Sequence, residues 1–379
     1  MKIQHQSTSV WTIIKSAIVC IGLFLNQNLS AFNHPGGMHP KAQIDFVKHQ
    51  IKLKNAPYYT AFNDLIKATD SAFIKEHHAI ADFSVPGYYV KPAEHRRNSL
   101  GFQTDAFNAY ACALAWQLTG EKRYANRALY FMNAWGSINK KYSESDGPLV
   151  TSYSGTAMII AAELMRDYKG WKKDDKQLFA QWIINVYQKA SNEIRYRKNN
   201  WADWGRLGST LSAYYLDDEK EMAENIRLVK SDLFDKIADD GHMPEETRRG
   251  ANGIWYTYFS LAPITATSWV IYNTTGENIF AMQKDKRSIK AALDYLLYYN
   301  QHPKEWKWFE NPAQGVPGTS FPVSAFWPAN LIEAMTGIYN DPEYLKYVAP
   351  HRPLNYTKHH FAWTFPTLMP LSLHGYQNR

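Results

Sequence analysis

LTGEKRYANRA, residues 118–128, closes one helix and opens the next. The run before it, FNAYACALAWQ, is apolar at helical spacing, and Thr119-Gly120 stops it, because glycine takes the left-handed backbone at a helix C-terminus without steric cost. A short polar turn follows, and a new run begins with Tyr124 facing inward. The layout returns in NTTGENIFAM (residues 273–282) and MTGIYNDPEYLKYV (residues 335–348), with looser copies at 168–183 and 214–226. Helical hairpins recurring at roughly fifty residues signal a repeat architecture. Strand signals are scarce, so the fold class is all-α. Stacked hairpins make either an open solenoid or a closed ring. The long joins at 136–154 and 301–326 favour an α/α toroid, an incomplete barrel with its loops gathered on one face. Helices are expected over 41–54, 58–73, 105–118 (capped by Asp105) and 121–135, and a helix end at Thr336-Gly337.

The chain has 379 residues, 45% hydrophobic and 15% aromatic, enough for a large core. Aromatic rings in such numbers serve core packing and can also stack on sugars. Residues 1–31 carry Lys2 and Lys15, an apolar run from Ser16 to Leu25 and small residues before Ala31, the layout of a secretory signal peptide. The run is too short to span a bilayer, so no membrane insertion is expected after cleavage. An exported protein, periplasmic or secreted, with one domain over 32–379, is the expectation. Cleavage removes two lysines and no acid, taking the formal charge from +7 to +5. A mildly basic exported protein suits a polyanionic partner. The only mature cysteine is Cys112, inside AYACALAW, where it reads as a core residue.

Three loops hold the candidate chemistry. Residues 87–99 carry Tyr88, Tyr89, Lys91, His95, Arg96 and Arg97, a basic aromatic set suited to a lid over an anion. RKNNWADWGRLGS (197–209) sets Asn199 and Asn200 before Trp201, Trp204 and Arg206. That is either a capped helix start with core tryptophans, or amides and rings for a sugar carboxylate and ring face. DGHMPEETRRGANGIWYTY (240–258) sets His242, Glu245, Glu246, Arg248 and Arg249 before two glycines and Trp255-Tyr256. Singly these are a turn histidine, surface ion pairs and a core tyrosine. Together they supply what β-elimination on a uronic acid needs. The proton beside the carboxylate is weakly acidic, so Asn and Arg must stabilise the developing enolate. A Tyr or His must then take the proton, and an acid must protonate the leaving oxygen. A nearby arginine would lower the cost of a phenolate.

The Asn-Asn loop, the downstream D-G-x-x-P-x-E segment, and an Arg followed seven residues later by Tyr resemble the alginate lyase superfamily, typified by polysaccharide lyase family five. The resemblance places the family's Asn, Arg and Tyr on Asn200, Arg249 and Tyr256. It extends to Gln103-x-Asp105-Ala106 and to FWPANLIEAMTG (326–337). It implies an α/α-toroid lyase acting on a polyuronate, with Asn199, Trp201, Trp204, Arg206, Arg248, Gln103 and Trp255 as candidate substrate contacts. The family's histidine after the two asparagines is replaced by Trp201. Either His242 supplies an imidazole, or Tyr256 acts as both base and acid, a route that the family associates with syn elimination at mannuronate. Polymannuronate leads as substrate, with glucuronan the alternative.

A toroid glycoside hydrolase would need two facing carboxylates, for which Asp105, Asp203, Glu245 and Glu246 are the candidates. A non-catalytic polysaccharide binder is the third reading. The basic residues are scattered and no recognition motif appears, so nucleic acid is not an expected partner. No cofactor is expected: H-E-x-x-H and glycine-rich phosphate loops are absent, and the spacing of His34 and His39 announces no further ligands.

Overall fold

The structure, a computed structural model, describes residues 32–310 and 327–377. Its elements are α1 (Lys41–Lys52), α2 (Tyr58–Phe73), β1 (Asp82–Ser84), α3 (Pro92–Thr119), α4 (Lys122–Ile138), β2 (Lys141–Ser143) and α5 (Gly147–Leu164). Then come α6 (Lys173–Trp182), a π turn (Ile183–Gln188), α7 (Lys189–Ile194), α8 (Asn200–Leu216), α9 (Glu219–Lys236) and α10 (Pro244–Thr247). The last are α11 (Gly253–Thr275), α12 (Ile289–Gln301), α13 (Ala329–Tyr339) and α14 (Pro342–Val348). Two concentric helical layers make an α/α toroid, as the hairpin repeat predicts.

Burial sorts the layers. Every residue of α5 is buried, nearly every one of α8, and most of α11. A helix apolar all round belongs inside. The inner wall runs α3, α5, α8, α11, each packed on the next. Outside, α2 and α4 pack on α3, α7 on α5 and α8, α9 on α8, and α12 on α11. These outer helices carry charge on their solvent faces: α9 buries Met222, Leu228, Val229 and Leu233 while exposing Lys220 and Glu219.

The turn chemistry holds in two of the three Thr-Gly copies. Gly120 (φ 76°) and Gly276 (φ 78°) end α3 and α11 in the left-handed conformation, their N–H groups bonded to Trp116 O at 2.7 Å and Tyr272 O at 2.9 Å. The third differs. α13 runs through Thr336-Gly337 and ends at Asn340 (φ 49°), a residue that also tolerates this region. Asp105 is likewise not a cap. It lies mid-helix in α3, fully buried, accepting from His78 N at 2.6 Å, His78 Nδ1 at 2.8 Å and Trp135 Nε1 at 2.8 Å. Its carboxylate ties the chain before β1 to the inner wall. The join expected over 136–154 shrinks to residues 139–146 and carries β2, which pairs in parallel with β1, Phe83 opposite Tyr142. The expected signal peptide and most of the 301–326 join lie outside the described residues. No described helix is long and apolar enough to cross a membrane.

Candidate active site

The four inner helices begin at the same end of the toroid, as bonds between their first residues show. Asp146, just before α5, accepts from Tyr88 N at 2.9 Å and lies 3.3 Å from His95 Nδ1 in the first turn of α3. Asn200 opens α8 and bonds Glu246, on the short α10 that leads into α11. Tyr256, in the first turn of α11, shares a hydrogen bond between hydroxyls with Tyr89 from the loop after β1. Helix N-termini carry unsatisfied N–H groups and positive partial charge, so this end favours an anion.

Tyr256 is half-buried, and the Arg249 guanidinium lies 4.6 Å from its ring centre. Among the described residues no carboxylate pairs with Arg249. Burial and the Tyr89 contact push the Tyr256 phenol up, and outweigh the downward pull of Arg249. Tyr256 therefore rests as a protonated phenol, whereas sequence reasoning gave Arg249 the larger say. Gly250 (φ 61°) shapes the turn between the two residues. A Cβ there would sit 3.0 Å from Glu310 Oε1 in a backbone region that L-residues avoid.

Beneath lies a buried polar cluster. Glu246, 1% exposed, accepts from the backbone N–H of Asn200 at 2.7 Å and from its Nδ2 at 2.7 Å. The amide oxygen of Asn200 is buried without a hydrogen-bond partner. Asp203, one turn along α8, takes the Lys236 ammonium at 3.0 Å and the Ser260 hydroxyl. Burial pushes the Glu246 carboxyl up to about 7, against the Asn200 bonds, with Asp203 raising it and Lys236 lowering it.

Several candidates make their contacts elsewhere in the fold. Trp204 is 0% exposed, wedged between Tyr153, Phe259 and His360, and is core rather than a sugar platform. Arg206 is 4% exposed and spends its guanidinium on Asp232, at 2.6 and 2.7 Å. Arg248 is exposed and paired with Glu245. Asn199 is the α8 cap, accepting from Trp201 N at 3.3 Å, and Trp201 stacks under Arg197, 3.8 Å from its ring centre. His242 bonds Asp240 at 2.5 Å and packs 4.9 Å from Trp308 and 6.2 Å from Tyr295 on α12. None of these contacts involves Tyr256 or Arg249.

Others gather at the mouth. Gln103 lies near the Tyr153 hydroxyl and opposes the rise that burial gives its pKa. His359 lies flat on Tyr153, ring centres 4.9 Å apart, and 5.4 Å from half-buried Trp255. Its Nδ1 is buried without a partner, and burial and nearby His95 lower its pKa to about 4. Sequence reasoning passed over His359, which stands in the C-terminal segment with no motif around it, and left Tyr89 as one of several lid residues. The four carboxylates of the hydrolase reading do not face each other across open space. Asp105 and Asp203 are buried in bonds, Glu245 holds Arg248, and Glu246 holds Asn200. Among the described residues no group of three His, Cys, Asp or Glu side chains has metal-site geometry.

The chain is an all-α toroid with Arg249 against Tyr256, and Asn200 bonded to Glu246, where its inner helices begin. The Alginate lyase family matches residues 49–306, and the chain belongs to that family, one of polysaccharide lyases. An alginate lyase from Bacteroides ovatus superposes with a TM-score of 0.66 at 18% identity, covering 92% of this chain and 100% of that one. A tyrosine-to-phenylalanine variant of alginate lyase A1-III complexed with tetrasaccharide gives 0.70 at 15% identity, covering 90% and 99%. Alginate lyase A1-III from Sphingomonas species A1 gives 0.69 at 14% identity, covering 90% and 99%. At these identities the likeness is one of fold. A UPF0236 protein of Caldanaerobacter subterraneus subsp. tengcongensis is 28% identical over 109 residues, so this chain spans 22% of the length of that curated relative.

Proposed function

We propose that the protein, exported, cleaves a 1,4-linked polyuronate by β-elimination, with polymannuronate the leading substrate and glucuronan the alternative. The observation that carries this is Arg249, unpaired by any described carboxylate, beside the ring of Tyr256 at the shared start of the inner helices. The uronate carboxylate would meet Arg249 and the Asn200 amide, which stabilise the enolate-like transition state. Tyr256 must first give its phenol proton to solvent, a loss that Arg249 favours; the phenolate then takes the C5 proton, the C4–O bond breaks, a C4=C5 double bond forms, and the hydroxyl so formed passes that proton to the leaving oxygen and returns to phenolate. No water is consumed. One residue serving both steps works from one face of the sugar, which favours mannuronate, and the position of His242 supports this single-tyrosine route. The Tyr256 hydroxyl is bonded to Tyr89, so substrate must displace that bond to reach it. The A1-III variant solved with a tetrasaccharide carries its substitution at a tyrosine, which fits a tyrosine at the chemistry.

A panel of polymannuronate, polyguluronate, glucuronan, pectate and hyaluronan, followed by ultraviolet absorbance and reducing ends, tests the reading. Polymannuronate should give new absorbance. Reducing ends without absorbance would make the protein a hydrolase, and binding without either would make it a binder.

A further inference from the structure

Glu246 and Asn200 form a closed pair whose protonation decides which end of the amide is free. A carboxylate only accepts hydrogen bonds. An ionised Glu246 therefore holds the backbone N–H of Asn200 on one oxygen and an Nδ2 hydrogen on the other, leaving Oδ1 as the unpartnered end. A protonated Glu246 reverses the pair. One oxygen still accepts the backbone N–H, the other donates to Oδ1, and both Nδ2 hydrogens are released. An amide presenting its oxygen repels a uronate carboxylate, and one presenting two N–H groups binds it. We propose that Glu246 is a positioning residue that turns the Asn200 amide toward the substrate carboxylate when it holds a proton. This rests on the reading of Asn200 as a carboxylate-binding group.

The surroundings suit a proton that comes and goes. Burial favours the neutral acid and places the carboxyl near 7. The charged groups facing it are Asp203 from α8, which raises it, and Lys236 from α9, which lowers it. Across the turn stand Tyr256, whose own phenol Glu246 helps to raise, and Arg249. Asp203 and Lys236 are bonded to each other at 3.0 Å, which leaves burial as the leading influence.

The test is Glu246→Gln beside Glu246→Ala, read by pH profile and by NMR of the full chain. In E246Q the glutamine oxygen must accept the backbone N–H, so its Nε2 donates to Asn200 Oδ1 and fixes the protonated arrangement. Turnover should stay within about threefold of the wild-type plateau below neutrality, and the wild-type decline through pH 7 should vanish. E246A should lose on the order of a hundredfold in kcat with less change in KM. A role confined to anchoring α8 would leave the E246Q pH profile like that of the wild type, and that result, or a folded E246Q inactive at every pH, overturns the proposal. The Asn200 side-chain amide resonance, assigned by its absence in Asn200→Asp, separates this from the function itself. It should shift through pH 7 in the wild type and not in E246Q, whether or not any uronan is cleaved, and a flat titration in the wild type sinks the switch alone.

Discussion

The two ends of the toroid carry the same residue types in opposite states. At the end where α5 and α8 finish, Arg166 is bonded to Asp217 at 2.6 Å and to Tyr215 O at 2.6 Å. His34 sits between Glu163 at 2.6 Å and Asp217 at 3.2 Å, and the Tyr214 hydroxyl donates to Asn33 O at 2.5 Å. At the end where the inner helices begin, Arg249 lacks a described carboxylate and the Asn200 amide oxygen lacks a partner. Residue chemistry alone does not separate a site from a clasp. What separates them is whether the head groups have been consumed by the fold. The sharpest way to break this comparison is Tyr256→Phe, which removes one hydroxyl and no packing. We expect a loss of at least about a thousandfold in elimination with an unchanged unfolding midpoint. Turnover near that of the wild type would move the chemistry elsewhere.

The arginines make the paired form of the contrast. Arg249→Ala should lower kcat on the order of a hundredfold and leave stability nearly untouched, because no described carboxylate is stranded. Arg166→Ala should do the reverse. It removes the guanidinium from Asp217, which keeps His34 and the Phe32 N–H, and frees Tyr215 O, and should cost about 2 kcal/mol in denaturant unfolding, discounted for its partial exposure, with the folded fraction retaining its activity. If both variants lost activity and kept stability, the two ends would not differ as argued. His242→Ala belongs near the bottom of the scale. Its bonds to Asp240 and its packing on Trp308 predict less than about a threefold change in rate. A hundredfold loss would restore it to the chemistry.

Turn residues and apolar periodicity made the toroid legible. Gly120 and Gly276 do locally what the sequence says, and the all-buried α5 follows from its lack of a polar face. The helix ends that failed, Asp105 and Thr336-Gly337, are places where a tertiary demand overrides a local preference: a buried carboxylate needed to hold His78 and Trp135, and a helix able to reach Asn340. The spacing from Arg249 to Tyr256 was readable because seven residues across a glycine turn and the first turn of a helix bring two side chains together. Trp204 and Arg206 were not separable from binding residues, because partners such as Phe259 and Asp232 come from other helices. Tyr89 and His359 reach the mouth from 167 and 103 residues away from Tyr256 in the chain, and no local pattern records that meeting. Glu246 appeared only as a spare acid, since its meaning lies in the bond to Asn200.

The effect that joins the buried cluster to stability is a pH dependence with two opposed parts. Buried His39 and His359, each lowered to about 4, and His360, held well below the ordinary histidine range by burial and by His359, fold in their neutral forms. A depressed folded pKa means stability that is present above the ordinary histidine range and lost as pH falls toward 4. Glu246 runs the other way. Its folded value of about 7 lies above the ordinary 4.5, so its contribution is whole below 4.5 and lost as pH rises through 7. In the window between 4.5 and 6.5 the one carboxyl offsets only part of the trend of the three histidines, so wild-type stability still rises with pH there, less steeply than without Glu246. E246Q removes only the carboxyl part. Its stability relative to the wild type should therefore grow with pH, reaching on the order of 3 kcal/mol by pH 8 if the full shift is realised. Urea unfolding of both proteins at pH 5 and pH 8 measures it. Equal differences at the two values would mean that Glu246 is ionised throughout, which removes the energetic basis for a proton that turns the Asn200 amide.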